Sequence, residues 1–77
     1  MNRVLFFAGL RERVEKEELE IDVTGRTVGE VKELVSEKYG LDQIQSCMTA
    51  VNEEFALNDM KIEEGDTIAF IPPVSGG

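Results

Sequence analysis

The residues with the greatest chemical reach in this sequence are the last six, Pro72-Pro73-Val74-Ser75-Gly76-Gly77. A strand-like run, Thr67-Ile68-Ala69-Phe70-Ile71, leads into them. The two prolines end any ladder there, because proline has no N–H to donate and holds φ near the polyproline value. Beyond Pro73 four residues remain, and the last two carry no side chain. The chain is therefore expected to taper into an arm that ends in a glycyl carboxylate and can thread a tunnel closed to bulkier termini. A terminal carboxylate has a pKa of about 3.3–3.7, so near pH 7 it is ionised and a poor electrophile. Acyl chemistry at Gly77 needs prior activation, for example as an acyl-adenylate made from ATP. The sequence has neither G-x-x-x-x-G-K-[ST] nor G-x-G-x-x-G, so that activation falls to another protein.

Little else in the chain could do chemistry. There is no histidine, and with it the commonest general base is missing. The single cysteine, Cys47, sits beside Met48 in a predicted strand over 47–51 and reads as a small packed residue, not a nucleophile. One cysteine, no histidine and scattered acids make no metal constellation. The expectation is a carrier or docking domain with a reactive tail, not an enzyme, and one that binds no cofactor itself.

Charge and composition narrow the partners. Sixteen acids against eight bases give a formal net charge of −8. Such a surface repels nucleic-acid phosphates and favours a partner with a basic docking face, where charge mainly speeds encounter. An acidic surface also simply keeps a small protein soluble, and both readings stand. No apolar stretch approaches the roughly 20 residues needed to cross a bilayer. Met1-Asn2-Arg3-Val4-Leu5-Phe6-Phe7 lacks a cleavage-site pattern and reads as a first strand, not a signal peptide. A single cysteine excludes an internal disulfide, which suits a reducing cytoplasm.

The frame that must position the tail is one domain over residues 1–77, with 72–77 as a mobile arm. Arg3 to Ala8 reads as a strand apolar on both faces, broken by Gly9, with a short helical turn over 10–14. Glu17 to Val23 alternates, with Leu19, Ile21 and Val23 on one face and Glu18, Glu20 and Asp22 on the other. Thr27-Val28-Gly29-Glu30 has the S/T-x-x-E capping-box pattern, and Val28, Val31, Leu34 and Val35 follow at helical spacing. Gly40 suits the left-handed position that closes the helix. After a loop come a strand over 47–51, a tight turn at Asn52-Glu53-Glu54, a short return strand over 55–57, a polar turn over 61–66 and the last strand. This order predicts an α+β fold, a mixed sheet packed on one face by one main helix, with the first and last strands at its centre.

One helix covers one face of such a sheet. Val4, Phe6 and Ala8 alternate with Leu5 and Phe7, and Ile68 and Phe70 with Ala69 and Ile71. One set packs under the helix, and the other, with Phe7 and Ile71, is left near solvent. An exposed apolar patch of this kind usually marks a partner site, unless loops or the turn near Leu10 and Val14 cover it.

Val4-Leu5-Phe6-Phe7-Ala8-Gly9-Leu10-Arg11-Glu12, Ala50-Val51-Asn52 and Gly65-Asp66-Thr67-Ile68-Ala69-Phe70-Ile71-Pro72-Pro73-Val74-Ser75-Gly76-Gly77 together resemble the small, sulfur-carrier subunits of molybdopterin synthase, from end to end of the chain. The resemblance implies a ubiquitin-like β-grasp fold. It also implies that a ubiquitin-activating-type adenylyltransferase adenylates Gly77 with ATP, and that sulfur from a persulfide donor displaces AMP to leave a C-terminal thiocarboxylate. The carrier then docks on the large catalytic subunit, in a two-plus-two assembly, and passes sulfur to cyclic pyranopterin monophosphate (precursor Z) in that subunit's active site. In this family the apolar docking contacts come from positions matching Phe7, Phe55 and Ile71. A close relative is aromatic where Ile71 stands and aliphatic where Phe55 stands. Arg11 also matches, with a modest docking role; an exposed arginine without a partner is the alternative. Gly76 and Gly77 would let the tail enter a narrow pocket, and Pro72-Pro73 would stiffen its exit. Two related readings are the sulfur carrier for the thiazole of thiamine and a ubiquitin-like modifier joined to target lysines.

Overall fold

The two most apolar runs of the sequence become the centre of the sheet. The computed structural model describes residues 1–7, 18–40 and 42–72, with backbone alone at 42 and 43. Strands β1 (Asn2–Phe6) and β5 (Thr67–Ile71) pair in parallel, Val4 beside Ile68 and Phe6 beside Phe70. Outside them lie β2 (Glu18–Ile21), β3 (Met48–Val51) and β4 (Glu54–Ala56), in the order β2-β1-β5-β3-β4. The other three pairings are antiparallel. The turn expected over 10–14 lies outside the described residues.

Helix α1 (Val28–Tyr39) forms where the capping signals place it. Glu30 N–H donates to Thr27 Oγ1 at 3.2 Å, and Thr27 N–H donates back to Glu30 Oε1 at 2.8 Å. These reciprocal bonds satisfy two orphan donors of the first turn. At the far end Gly40 takes φ 65°, ψ 37°, a left-handed conformation that costs glycine little, and its N–H donates to Ser36 O.

The core lies between α1 and one face of the sheet. Val28, Val31 and Val35 pack on Val4, Phe6, Val51, Ile68 and Phe70, all essentially without solvent contact. Leu34, expected in the same stripe, is only partly buried, whereas Lys32 is buried. Its ammonium donates to Cys47 O at 3.1 Å, so the stem packs while the charge finds an acceptor.

Two core residues come from segments that look polar or irregular in sequence. Ile44 sits in a 3-10 helix, η1 (Asp42–Ser46), where a loop was expected, and is fully buried. Ile62 lies inside the polar run 61–66. Its N–H donates to Arg26 O and its carbonyl accepts from Gly25 N–H, both at 2.8 Å, which turns its side chain into the core. Other boundaries also move. β1 runs from Asn2 and stops at Phe6, Cys47 precedes β3 instead of lying within it, β2 stops at Ile21 although Val23 is buried, and β4 runs from Glu54 to Ala56.

The β3–β4 connection has two loop residues, Asn52 (φ 52°) and Glu53 (φ 71°), between the paired Val51 and Glu54. Two successive positive φ values give the twist that a two-residue hairpin favours. Asn52 earns its place through bonds: its Nδ2 donates to Asp66 Oδ1 at 2.8 Å, and its Oδ1 accepts from Thr67 N–H at 3.0 Å. Asp66 Oδ2 in turn accepts from Glu63 N–H at 2.9 Å. The hairpin is thereby pinned to the start of β5.

Candidate docking face and the root of the tail

Strand register builds the uncovered face. Glu18 stands beside Leu5, Leu5 beside Ala69, Ala69 beside Ala50, and Ala50 beside Phe55, so one row of side chains crosses all five strands. Alternation points this row away from α1. Met48 and Ile71 pair in the next row. Small methyl groups at the centre and large side chains around them leave an open depression of about 600 Å³, lined by Leu5, Phe7, Ala50, Phe55, Ala69 and Ile71, with Asn52, Glu53 and Thr67 at its polar end.

Phe7, Phe55 and Ile71, assigned to partner binding from the sequence, therefore surround one hollow. Phe7 is 45% exposed and Phe55 74%, large values for aromatic rings in a chain with so small a core. Ile71 ends β5 at the wall of the hollow and Pro72, half-buried, follows it, so the chain leaves β5 beside the hollow. Arg11, Pro73, Val74, Ser75, Gly76 and Gly77 lie outside the described residues.

The structure adds residues that the sequence reading did not assign. Ala50 and Ala69 form the floor, which alternation alone does not reveal, because their juxtaposition depends on the β3–β5 register. Met48 extends the apolar surface beyond Phe55, with exposed Leu57 in the adjoining hollow.

The charges on this face are acidic in balance. Arg3 Nε contacts Glu18 Oε2 at 3.1 Å, and Arg3 also stands opposite Glu20 in register. Cys47 lies away from the depression, 5% exposed within the core. Burial pushes its thiol up, against a smaller opposing pull from the Lys32 ammonium, so near neutral pH it stays protonated and a weak nucleophile. Among the described residues no group of three or more histidine, cysteine, aspartate or glutamate side chains is placed to hold a metal ion. No described helix is long and apolar enough to cross a membrane.

A five-stranded mixed sheet with parallel central strands, crossed on one face by the one α-helix among the described residues, defines a ubiquitin-like β-grasp protein. Solved structures bear this out. Small archaeal modifier protein 1 from Methanosarcina acetivorans superimposes with a TM-score of 0.79 at 26% identity, covering 99% of this chain and 95% of that one. The chain belongs to the ThiS family, whose sequence pattern matches residues 4–77. It is 33% identical over 81 residues to the molybdopterin synthase sulfur carrier subunit of Escherichia coli, spanning 100% of both chains. It is also similar to a chain in the complex of subunits 1 and 2 of the molybdopterin-converting factor from Helicobacter pylori. That match has a TM-score of 0.70 and 27% identity, over 99% of this chain and 97% of the other.

Proposed function

We propose that this chain is the sulfur carrier of molybdenum cofactor biosynthesis, working in the cytoplasm as the small subunit of a molybdopterin synthase. The observation that carries the reading is the end-to-end similarity to the Escherichia coli sulfur carrier subunit, with no part of either chain left over. An apolar hollow walled by Phe7, Phe55 and Ile71, beside the point where the tail leaves β5, supports it. In this reading the hollow seats a large catalytic subunit, and the arm from Pro72 to Gly77 reaches that subunit's active site. Arg11 has a modest docking role, and the assembly is two-plus-two.

The carrier chemistry runs through the carboxylate of Gly77. An adenylyltransferase joins it to the AMP moiety of ATP and releases pyrophosphate. A persulfide sulfur then attacks the acyl carbon and AMP leaves, and a thiol cleaves the resulting S–S bond to give the thiocarboxylate. In the partner's active site the thiocarboxylate sulfur adds to cyclic pyranopterin monophosphate, and hydrolysis of the acyl link returns the Gly77 carboxylate. The small chain supplies reach, and the partners supply catalysis.

Intact mass of the chain, purified gently from cells that also express the activating enzyme, tests this. A gain equal to exchanging one oxygen for sulfur, localised to Gly77, is the expected result. An unmodified mass with a competent activating enzyme overturns it. A second reading, a ubiquitin-like modifier, draws on the likeness to small archaeal modifier protein 1. It requires isopeptide-linked ladders on a denaturing gel. The thiamine-thiazole carrier would instead bring down thiazole synthase in a pull-down.

A further inference from the structure

Among the described residues Glu53 is the one acid that lines the apolar depression, and no contact among them accounts for its identity. It occupies the second position of the Asn52-Glu53 hairpin loop with φ 71°. Glycine is the usual residue there, because a left-handed backbone is free of steric cost only without a Cβ. Asn52, at the first position, tolerates its own positive φ and fills it with bonds to Asp66 and Thr67. Glu53 has no counterpart to those bonds. Its side chain is exposed, and among the described residues neither a hydrogen bond nor an ion pair engages its carboxylate.

The other acids nearby are differently placed. Glu18 pairs with Arg3, and Glu20 lies on the outer strand β2 opposite the same arginine. Glu54 stands opposite Val51, whose side chain is in the core, so it points to the helix side. Among the described residues, Glu53 alone sets an uncompensated negative charge at the rim of an apolar hollow. A rim charge beside an apolar contact steers encounter and fixes register more than it adds affinity.

We propose that Glu53 is a partner-recognition residue, its carboxylate presented by the left-handed turn to receive a lysine or arginine from the protein that seats on the depression. This rests on the docking role assigned to that face above, and it specifies the partner's chemistry: an apolar side chain for the hollow with a cationic one beside Asn52 and Thr67.

Two substitutions separate charge from backbone. Glu53→Gln keeps the left-handed backbone requirement and removes the charge, whereas Glu53→Gly removes both. Each full-length chain is melted alone and then bound to the large subunit, with association rates measured at low and high salt. Glu53→Gln should melt as the parent does and associate roughly threefold or more slowly at low salt, with the difference shrinking as salt screens the contact. Glu53→Gly should melt higher and yet associate as slowly as Glu53→Gln. Parent-like association by both variants at low salt, with the parent itself binding, overturns the role of Glu53 alone. Failure of the parent chain to bind overturns the docking reading beneath it as well.

Discussion

Ala50 and Ala69 stand opposite each other across β3 and β5, at the centre of the face that α1 does not cover. Two methyl groups where neighbouring positions carry Leu5, Phe55 and Ile71 turn what would be a flat apolar surface into a hollow. The pair is close to what folding needs and closer to what docking needs, because larger residues here would face open space in the isolated chain. Ala69→Leu should therefore leave the melting temperature of the isolated chain within a few degrees of the parent while weakening binding to the large subunit at least about tenfold, by filling the space a partner side chain enters. Unchanged binding would mean that the hollow is not the seat.

Phe6 and Phe7 are neighbours in sequence with opposite duties. Phe6 is 2% exposed, with its ring edge-on to Tyr39 at 6.2 Å between centroids, whereas Phe7 is 45% exposed at the wall of the hollow. Phe7→Ala should weaken complex formation by about 2 kcal/mol or more and cost the isolated fold much less. Phe6→Ala should unfold a small domain instead, by about 3–5 kcal/mol. Denaturant unfolding of each variant alone, followed by titration with the large subunit, checks both. If Phe7→Ala unfolds the chain while its folded fraction binds normally, Phe7 belongs to the core.

Much of this frame was legible in the sequence because period and caps carry it. The alternation of Val4 and Phe6 with Leu5 and Phe7, and of Ile68 and Phe70 with Ala69 and Ile71, separates the core face from the open face before any pairing is known. Thr27 and Glu30 fix where the helix starts, and Gly40 where it stops. What escaped depends on long-range pairing. Ile44 and Ile62 are single apolar residues in short polar segments, with no periodic neighbours to mark them, and they reach the core only because the chain is folded over it. The alanine floor escaped for the same reason, since small residues give no signal until register brings two of them together. The meaning of Glu53 appears only with its backbone conformation.

Glu30 carries a pH dependence whose sign can be worked out. Hydrogen bonds from Thr27, backbone first and then side chain, hold its carboxyl below the ordinary value of 4.5 in the folded chain. The folded state therefore binds this proton less readily than the unfolded state does. The contribution is fully present above about pH 4.5–5 and is lost as pH falls through the folded value. The stability difference between the parent and Glu30→Gln should be constant from neutrality down to about pH 5 and change below it, in the direction that removes the parent's advantage. Urea unfolding of both chains across that range reads it directly. A difference that stays flat to pH 3 would show that the cap does not depend on the ionised carboxylate.

Gly77 separates reach from docking. Deleting Gly77 removes the carboxylate-bearing residue and leaves Ser75-Gly76 as the end, while the depression, the hairpin and α1 are untouched. The truncated chain should melt and bind the large subunit as the parent does, and should give no sulfur transfer to precursor Z and no mass gain with the activating enzyme. A one-residue shortening withdraws the reactive carbon by up to about 3.6 Å, more than the misplacement that already costs orders of magnitude in rate. Adding an alanine after Gly77 supplies the complementary test, since it keeps every native residue and a terminal carboxylate but lengthens the arm and places a Cβ at its tip. If the tunnel accepts only glycine there, this longer chain also fails. Full sulfur transfer by the truncation would end the carrier reading, and transfer by the alanine-extended chain alone would end only the argument that the tip must lack a side chain.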